Sequence, residues 1–79
     1  MAGRPKVDHY SDELLSVQLA RILRDQIGSK ELKKHQPLPS ETTLMQEHEV
    51  SRGTVRAAIR MLRDEGLVIT QPGRGSIVR

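Results

Sequence analysis

The sequence predicts a mainly α domain with a small β element, three helices followed by a two-strand β-hairpin. Three observations carry that reading. Apolar residues recur at the spacing of helices with one buried face, first as Leu15, Leu19, Ile22, Leu23 and Ile27, then as Val55, Ala58, Ile59 and Leu62. Ser40 and Ser51 each stand just before a helical stretch, where a hydroxyl can accept from an unpaired first-turn N–H. After Gly66 the period shortens to two β-branched runs, 67–71 and 76–79, on either side of Pro72-Gly73-Arg74-Gly75.

Length and composition set the limits. Seventy-nine residues make one domain. A chain of this size buries roughly 60% of its unfolded surface, so its stability should be modest. There is no cysteine, which removes disulfides and thiolate metal sites and permits a reducing cytoplasm. Tyr10 is the one aromatic residue, so the core must be aliphatic. No apolar run approaches the ~20 residues of a membrane span, and no apolar segment follows the basic start as in a signal peptide.

In chain order, residues 1–10 have no apolar period and are expected to form a flexible basic arm. Within them Gly3-Arg4-Pro5-Lys6 is similar to short arms that enter the minor groove. A first helix is expected from about Ser11, with Ser11 as its cap and Asp12 and Glu13 at its positive end, closing at Gly28-Ser29. Gln26 interrupts its apolar face. Residues 30–38 form a connector held extended by Pro37 and Pro39, with Leu32 and Leu38 tucked against the core. A short second helix starts at Ser40-Glu41 and runs to about His48, burying Leu44 and Met45. Only Glu49 and Val50 separate it from Ser51, which opens a third helix ending before Gly66. Gly66 suits a left-handed closing residue, with Leu67 folding back onto Met61 or Leu62. Two helices joined by so tight a turn make a helix-turn-helix pattern.

Charge is distributed unevenly. The net charge of +3 divides into −1 over residues 1–50 and +4 over residues 51–79. All six cations of the second segment are arginines, suited to bidentate contact with phosphate or guanine. Arg52, Arg56, Arg60 and Arg63 form a stripe beside the apolar face of the third helix, and no acid interrupts it before Asp64. The first turn, Arg52-Gly53-Thr54, is small and polar where a docking helix must approach a partner. Together these features describe a polyanion-binding face.

Three stretches then resemble the N-terminal winged helix-turn-helix domain of GntR-type bacterial transcription regulators. They are Leu38-Pro39-Ser40-Glu41, the run Val50-Ser51-Arg52-Gly53-Thr54-Val55-Arg56-Ala57-Ala58, and Glu65-Gly66-Leu67-Val68 followed by Gly73-Arg74-Gly75-Ser76. Their order and spacing match across residues 12–79. The resemblance implies that residues 11–79 are a DNA-binding domain whose recognition helix, about 52–65, enters the major groove. The hairpin, 67–79, would be a wing on flanking backbone or minor groove. Arg52 and Arg56 match the principal base-contacting arginines, with Gly53 and Thr54 between them touching bases or phosphate. Ser40 stands where the second helix presents its N-terminus to phosphate, and Ser51 caps the recognition helix at the same face. Gly73 matches a wing-tip glycine that approaches DNA, Arg74 and Gly75 extend that tip, and Arg60 and Arg74 would meet phosphate.

The sequence departs from the family pattern at four positions. Glu49 stands where a glycine is usual, at a cost on the order of 1 kcal/mol if the backbone there is left-handed. Thr42 replaces an arginine that adds a DNA contact in many members. Lys30 and His35 replace two customary glycines, so the path of the connector could differ. Members also usually continue into a larger C-terminal domain that binds an effector and dimerises. No such domain or small-molecule effector site is expected within these 79 residues, which fits a fragment as well as a self-standing regulator.

The expected function is sequence-specific binding of double-stranded operator DNA, as a repressor acting by occupancy. The expected operator is an inverted repeat read by two copies paired on DNA, in a cytoplasmic, nucleoid-associated setting. A protein-interaction module is the first alternative, with Tyr10 as its one aromatic anchor. An enzyme or metal protein is the second. Against it, His9, His35 and His48 lack ligand spacing, Gly73-Arg74-Gly75 lacks a strand-to-helix context, and no catalytic residue or cofactor site is indicated.

Overall fold

A computed structural model describes residues 5–79. The elements in chain order are α1 (Leu15–Gly28), α2 (Glu41–His48), α3 (Arg52–Asp64), β1 (Val68–Gln71) and β2 (Gly75–Val78). Ser51 Oγ accepts from Thr54 N–H at 3.1 Å and starts α3. At the other end Gly66 is left-handed (φ 79°), its N–H meeting Arg63 O while Leu67 N–H meets Leu62 O. This is the closing motif that Gly66 and Leu67 predict.

The core lies between α1 and α3. Leu19 and Leu23 of α1 meet the face of Val55, Ala58 and Leu62, and Leu44, Val68 and Val78 close it from α2 and the hairpin. Ile59 is only partly buried, because it sits on the flank of α3 that turns toward the hairpin. Leu32 and Leu38 are buried as the sequence implies.

The hairpin pairs Val68 with Val78 and Gln71 with Gly75 in antiparallel register. Pro72 and left-handed Gly73 (φ 78°) form the tip, where Arg74 N–H returns to Gln71 O at 3.0 Å. Two strands alone are marginal in water. Here the connector lines the free edge of β2: His35 N–H donates to Val78 O, Val78 N–H to Gln36 O, and Leu38 N–H to Ser76 O, all within 2.9 Å. Pro37 sits at this edge opposite Ile77, where its missing donor costs no ladder bond.

Lys30, His35 and Glu49 are left-handed, with φ of 66°, 67° and 55°. These are the three positions where the sequence lacks an expected glycine. The connector therefore keeps the backbone conformation that glycine favours, despite its two side chains.

The start of α1 differs from expectation. Ser11 does not cap it, and the helix opens after Leu14 with no side-chain cap. Asp8 and Ser11 instead spend their oxygens locally, on Tyr10 N–H at 2.9 Å and Glu13 N–H at 3.1 Å, which makes turns rather than a helix end. Asp12 and Glu13 precede the helix, and Glu13 pairs with Arg21.

The expectation of a flexible arm over residues 1–10 fails at Val7 and Asp8. Val7 is only 8% exposed and belongs to the core. Its N–H bonds His48 Nδ1 at 3.2 Å, and Asp8 N–H bonds Gln18 Oε1 at 2.7 Å. Gly3 and Arg4 lie outside the described residues, so half of the Gly3-Arg4-Pro5-Lys6 segment does too. Among the described residues no helix is long and apolar enough to cross a membrane.

Candidate nucleic-acid interface

The α2 N-terminus, the outer face of α3 and the hairpin tip converge on one groove. Ser40, Glu41 and Thr42 supply one wall, Arg56, Ile59, Arg60 and Arg63 the floor, and Thr70, Arg74 and Gly75 the other wall. Its volume is about 640 Å³, and it is open to solvent. Four arginines face a single acid across it. In so basic a groove the local field favours a polyanion.

Of the sequence-predicted residues, the groove unites Ser40, Arg56, Arg60, Arg74 and Gly75. Ser51, Arg52 and Gly53, exposed, and Thr54, half-buried, lie at the start of α3, beside the groove rather than in it. Gly73 is exposed at the hairpin tip. A Cβ on Gly53 would meet nothing nearer than Ser51 Oγ at 3.8 Å, ordinary contact, so the fold itself does not require glycine there.

Both cap serines have engaged hydroxyls. Ser40 Oγ accepts from Thr43 N–H and donates to Thr43 Oγ1, and Ser51 does the same with Thr54. An anion at either helix start would therefore be met chiefly by the remaining first-turn backbone N–H groups.

The arginine row is not free of acids, contrary to what spacing along α3 implies. Glu41, from the first turn of α2, accepts from Arg56 Nε at 2.8 Å and from Arg56 Nη2 at 3.3 Å. The same carboxylate lies 3.6 Å from Arg52 Nε. The Arg56 guanidinium holds the Glu41 carboxyl below the usual carboxylate range, so it is ionised at neutral pH. Arg63 Nη1 donates to Thr70 Oγ1 at 3.0 Å and ties α3 to the hairpin. The side chains of Arg60 and Arg74, both exposed, make no ion pair or hydrogen bond to the described residues.

Sequence reasoning missed Glu41 and the Arg63–Thr70 tie. Glu41 is fifteen positions from Arg56, beyond any helical spacing. Its one local signal, a place directly after the Ser40 cap, reads equally well as a favourable charge at a helix start.

The sequence and fold are similar to those of known proteins. The family described as bacterial regulatory proteins, gntR family, matches residues 15–78. The transcriptional repressor NagR of Bacillus subtilis is 41% identical over 61 residues, 77% of this chain and 25% of its own length. The mannosyl-D-glycerate system repressor MngR of Escherichia coli is 40% identical over 62 residues, 78% of this chain and 26% of its own length. The chain thus spans about a quarter of these relatives. Among solved structures, the GntR-family transcription factor YtrA of Sulfolobus acidocaldarius superposes with a TM-score of 0.87 at 31% identity, over 98% of this chain and 81% of that one. The DNA-binding domain of AraR, solved with operator ORX1, superposes with a TM-score of 0.84 at 28% identity over all of both chains.

Proposed function

Since this chain belongs to the GntR family of bacterial regulatory proteins, we propose that it reads operator DNA for a transcription regulator of the repressing type. The observation that carries this reading is the groove, which brings α3, the α2 N-terminus and the hairpin tip to one arginine-rich face. The major groove, about 12 Å wide, admits a single α-helix. With α3 seated there, Arg52 and Arg56 in its first two turns face base edges, while Gly53 and Thr54 allow close approach. Arg60, Arg74 and the α2 N-terminus behind Ser40 face phosphates on either side. Gly73 and Gly75 bring the hairpin backbone close to the flanking groove.

The two sets of contacts do different work. A bidentate arginine on guanine supplies about 1–3 kcal/mol of discrimination. Phosphate contacts raise affinity for any sequence and weaken as salt rises. One domain covers one half-site, so high affinity calls for two copies on an inverted repeat. Repression follows from occupancy, when the bound pair excludes polymerase. The setting is the cytoplasm, where the nucleoid lies.

The test is Arg56→Ala, measured by fluorescence anisotropy on a preferred duplex and on an unrelated one. Binding to the preferred duplex should fall by about tenfold or more, and binding to the unrelated duplex far less. Equal losses on both would make Arg56 a phosphate contact and remove the base-reading role.

A further inference from the structure

Glu41 is the one acid in the arginine-lined groove, and its position is specific. Its two oxygens take Nε and Nη2 of Arg56, which occupies the side edge of the guanidinium. That leaves the end edge, formed by Nη1 and the second Nη2 hydrogen, with its donors unspent. Guanine offers O6 and N7 to such a pair of donors in the major groove. The same carboxylate stands 3.6 Å from Arg52 Nε, one helical turn earlier on α3. Ser40 fixes the α2 start from which Glu41 projects, by accepting from Thr43 N–H. The acid is thus anchored on one helix while it grips arginines on the other.

We infer that Glu41 is a positioning residue for specificity, holding the side edge of Arg56 so that its end edge is presented to a base. The inference rests on the reading of Arg56 as a base-contacting arginine. An arginine left free on the surface could turn to the nearest phosphate and lose its base preference. Glu41 opposes that turn by charge and by two hydrogen bonds. It also weakens non-specific attraction by placing a negative charge in the groove. The two effects separate in an experiment, because only the first depends on which base pair is present.

The experiment uses the 79-residue chain with Glu41→Gln, Arg56→Ala and the double variant. The probes are a duplex selected by the wild-type chain and its single base-pair replacements, with an unrelated duplex as reference. Arg56→Ala should flatten the preference at one base position. Glu41→Gln should reduce the preference at that same position by about threefold or more, with only the small drop in thermal unfolding midpoint that losing a favourable charge at the α2 start brings. It should also tighten binding to the unrelated duplex and steepen the log–log salt dependence by about one. In the Arg56→Ala background it should leave the preference at that position untouched. If Glu41→Gln tightens the selected and replaced duplexes by one common factor, Glu41 only offsets charge and the positioning role is wrong. If Arg56→Ala flattens no position, the base-reading role of Arg56 fails, and the inference falls with it.

Discussion

The backbone N–H of Val7 donates to Nδ1 of His48, 3.2 Å away and forty-one positions along the chain. His48 is 2% exposed, and its carbonyl oxygen lies 2.8 Å from His9 Nε2. The N-terminal segment is thereby fastened to the end of α2, one residue before the turn that leads to α3.

This contact makes stability depend on pH. Nδ1 accepts only while unprotonated, and burial pushes the His48 imidazole below its ordinary value, with Glu47 opposing the shift and Lys6 adding to it. The unfolded chain therefore binds a proton more readily than the folded one. The stability His48 contributes is fully present above about pH 6.5 and is lost as pH falls toward its lowered folded value. Urea unfolding should give a lower midpoint at about pH 5.5 than at about pH 8, and His48→Gln should flatten the difference. A wild-type midpoint independent of pH across that range would contradict the account.

The left-handed residues give a second prediction. Glu49 ends α2 at φ 55° and carries a Cβ into a region that costs a non-glycine residue roughly 1–2 kcal/mol. Part of the gain from glycine is lost to its greater freedom in the unfolded chain, so Glu49→Gly should stabilise by about 0.5–1 kcal/mol in urea unfolding. His35→Gly at φ 67° should act in the same direction. A loss of stability in both would mean that the side chains, not the backbone, decide these turns.

A third prediction separates folding from binding at Gly53. Its position in α3 leaves ordinary room for a methyl group. Gly53→Ala should stabilise the fold by a few tenths to about 1 kcal/mol. On the proposed interface the same methyl meets DNA, so affinity should fall while the unfolding midpoint rises. Unchanged affinity would place the start of α3 away from the nucleic acid.

These cases show what was legible in the sequence. The Ser51 cap, the Gly66 closure and the arginine stripe were readable because each is set within one or two helical turns. The hairpin tip was readable because Pro72 and Gly73 specify a turn on their own. Glu41 against Arg56, Val7 against His48 and the connector against β2 were not readable, since each joins residues that only the folded core brings together. Ser11 misled because a capping residue also serves a local turn, and Asp8 beside it favoured the turn. Lys30, His35 and Glu49 show the reverse case, in which tertiary packing imposes left-handed backbone that the side chains disfavour.

The hairpin supplies a fourth prediction. The Arg74 side chain lies on the groove wall with no ion pair or hydrogen bond to the described residues, so its charge is available to phosphate. Arg74→Ala should weaken binding to every duplex by a similar factor and reduce the salt slope by about one. A loss confined to the preferred duplex would assign Arg74 to a base instead.

Whether this face reads DNA sequence is decided by selection from a randomised duplex pool with the 79-residue chain at physiological salt. A defined half-site should be enriched, and an inverted repeat where two copies bind together. Recovery of unrelated sequences, with binding that simply fades as salt rises, would contradict the proposed function by showing an arginine-rich face that attracts DNA without reading it.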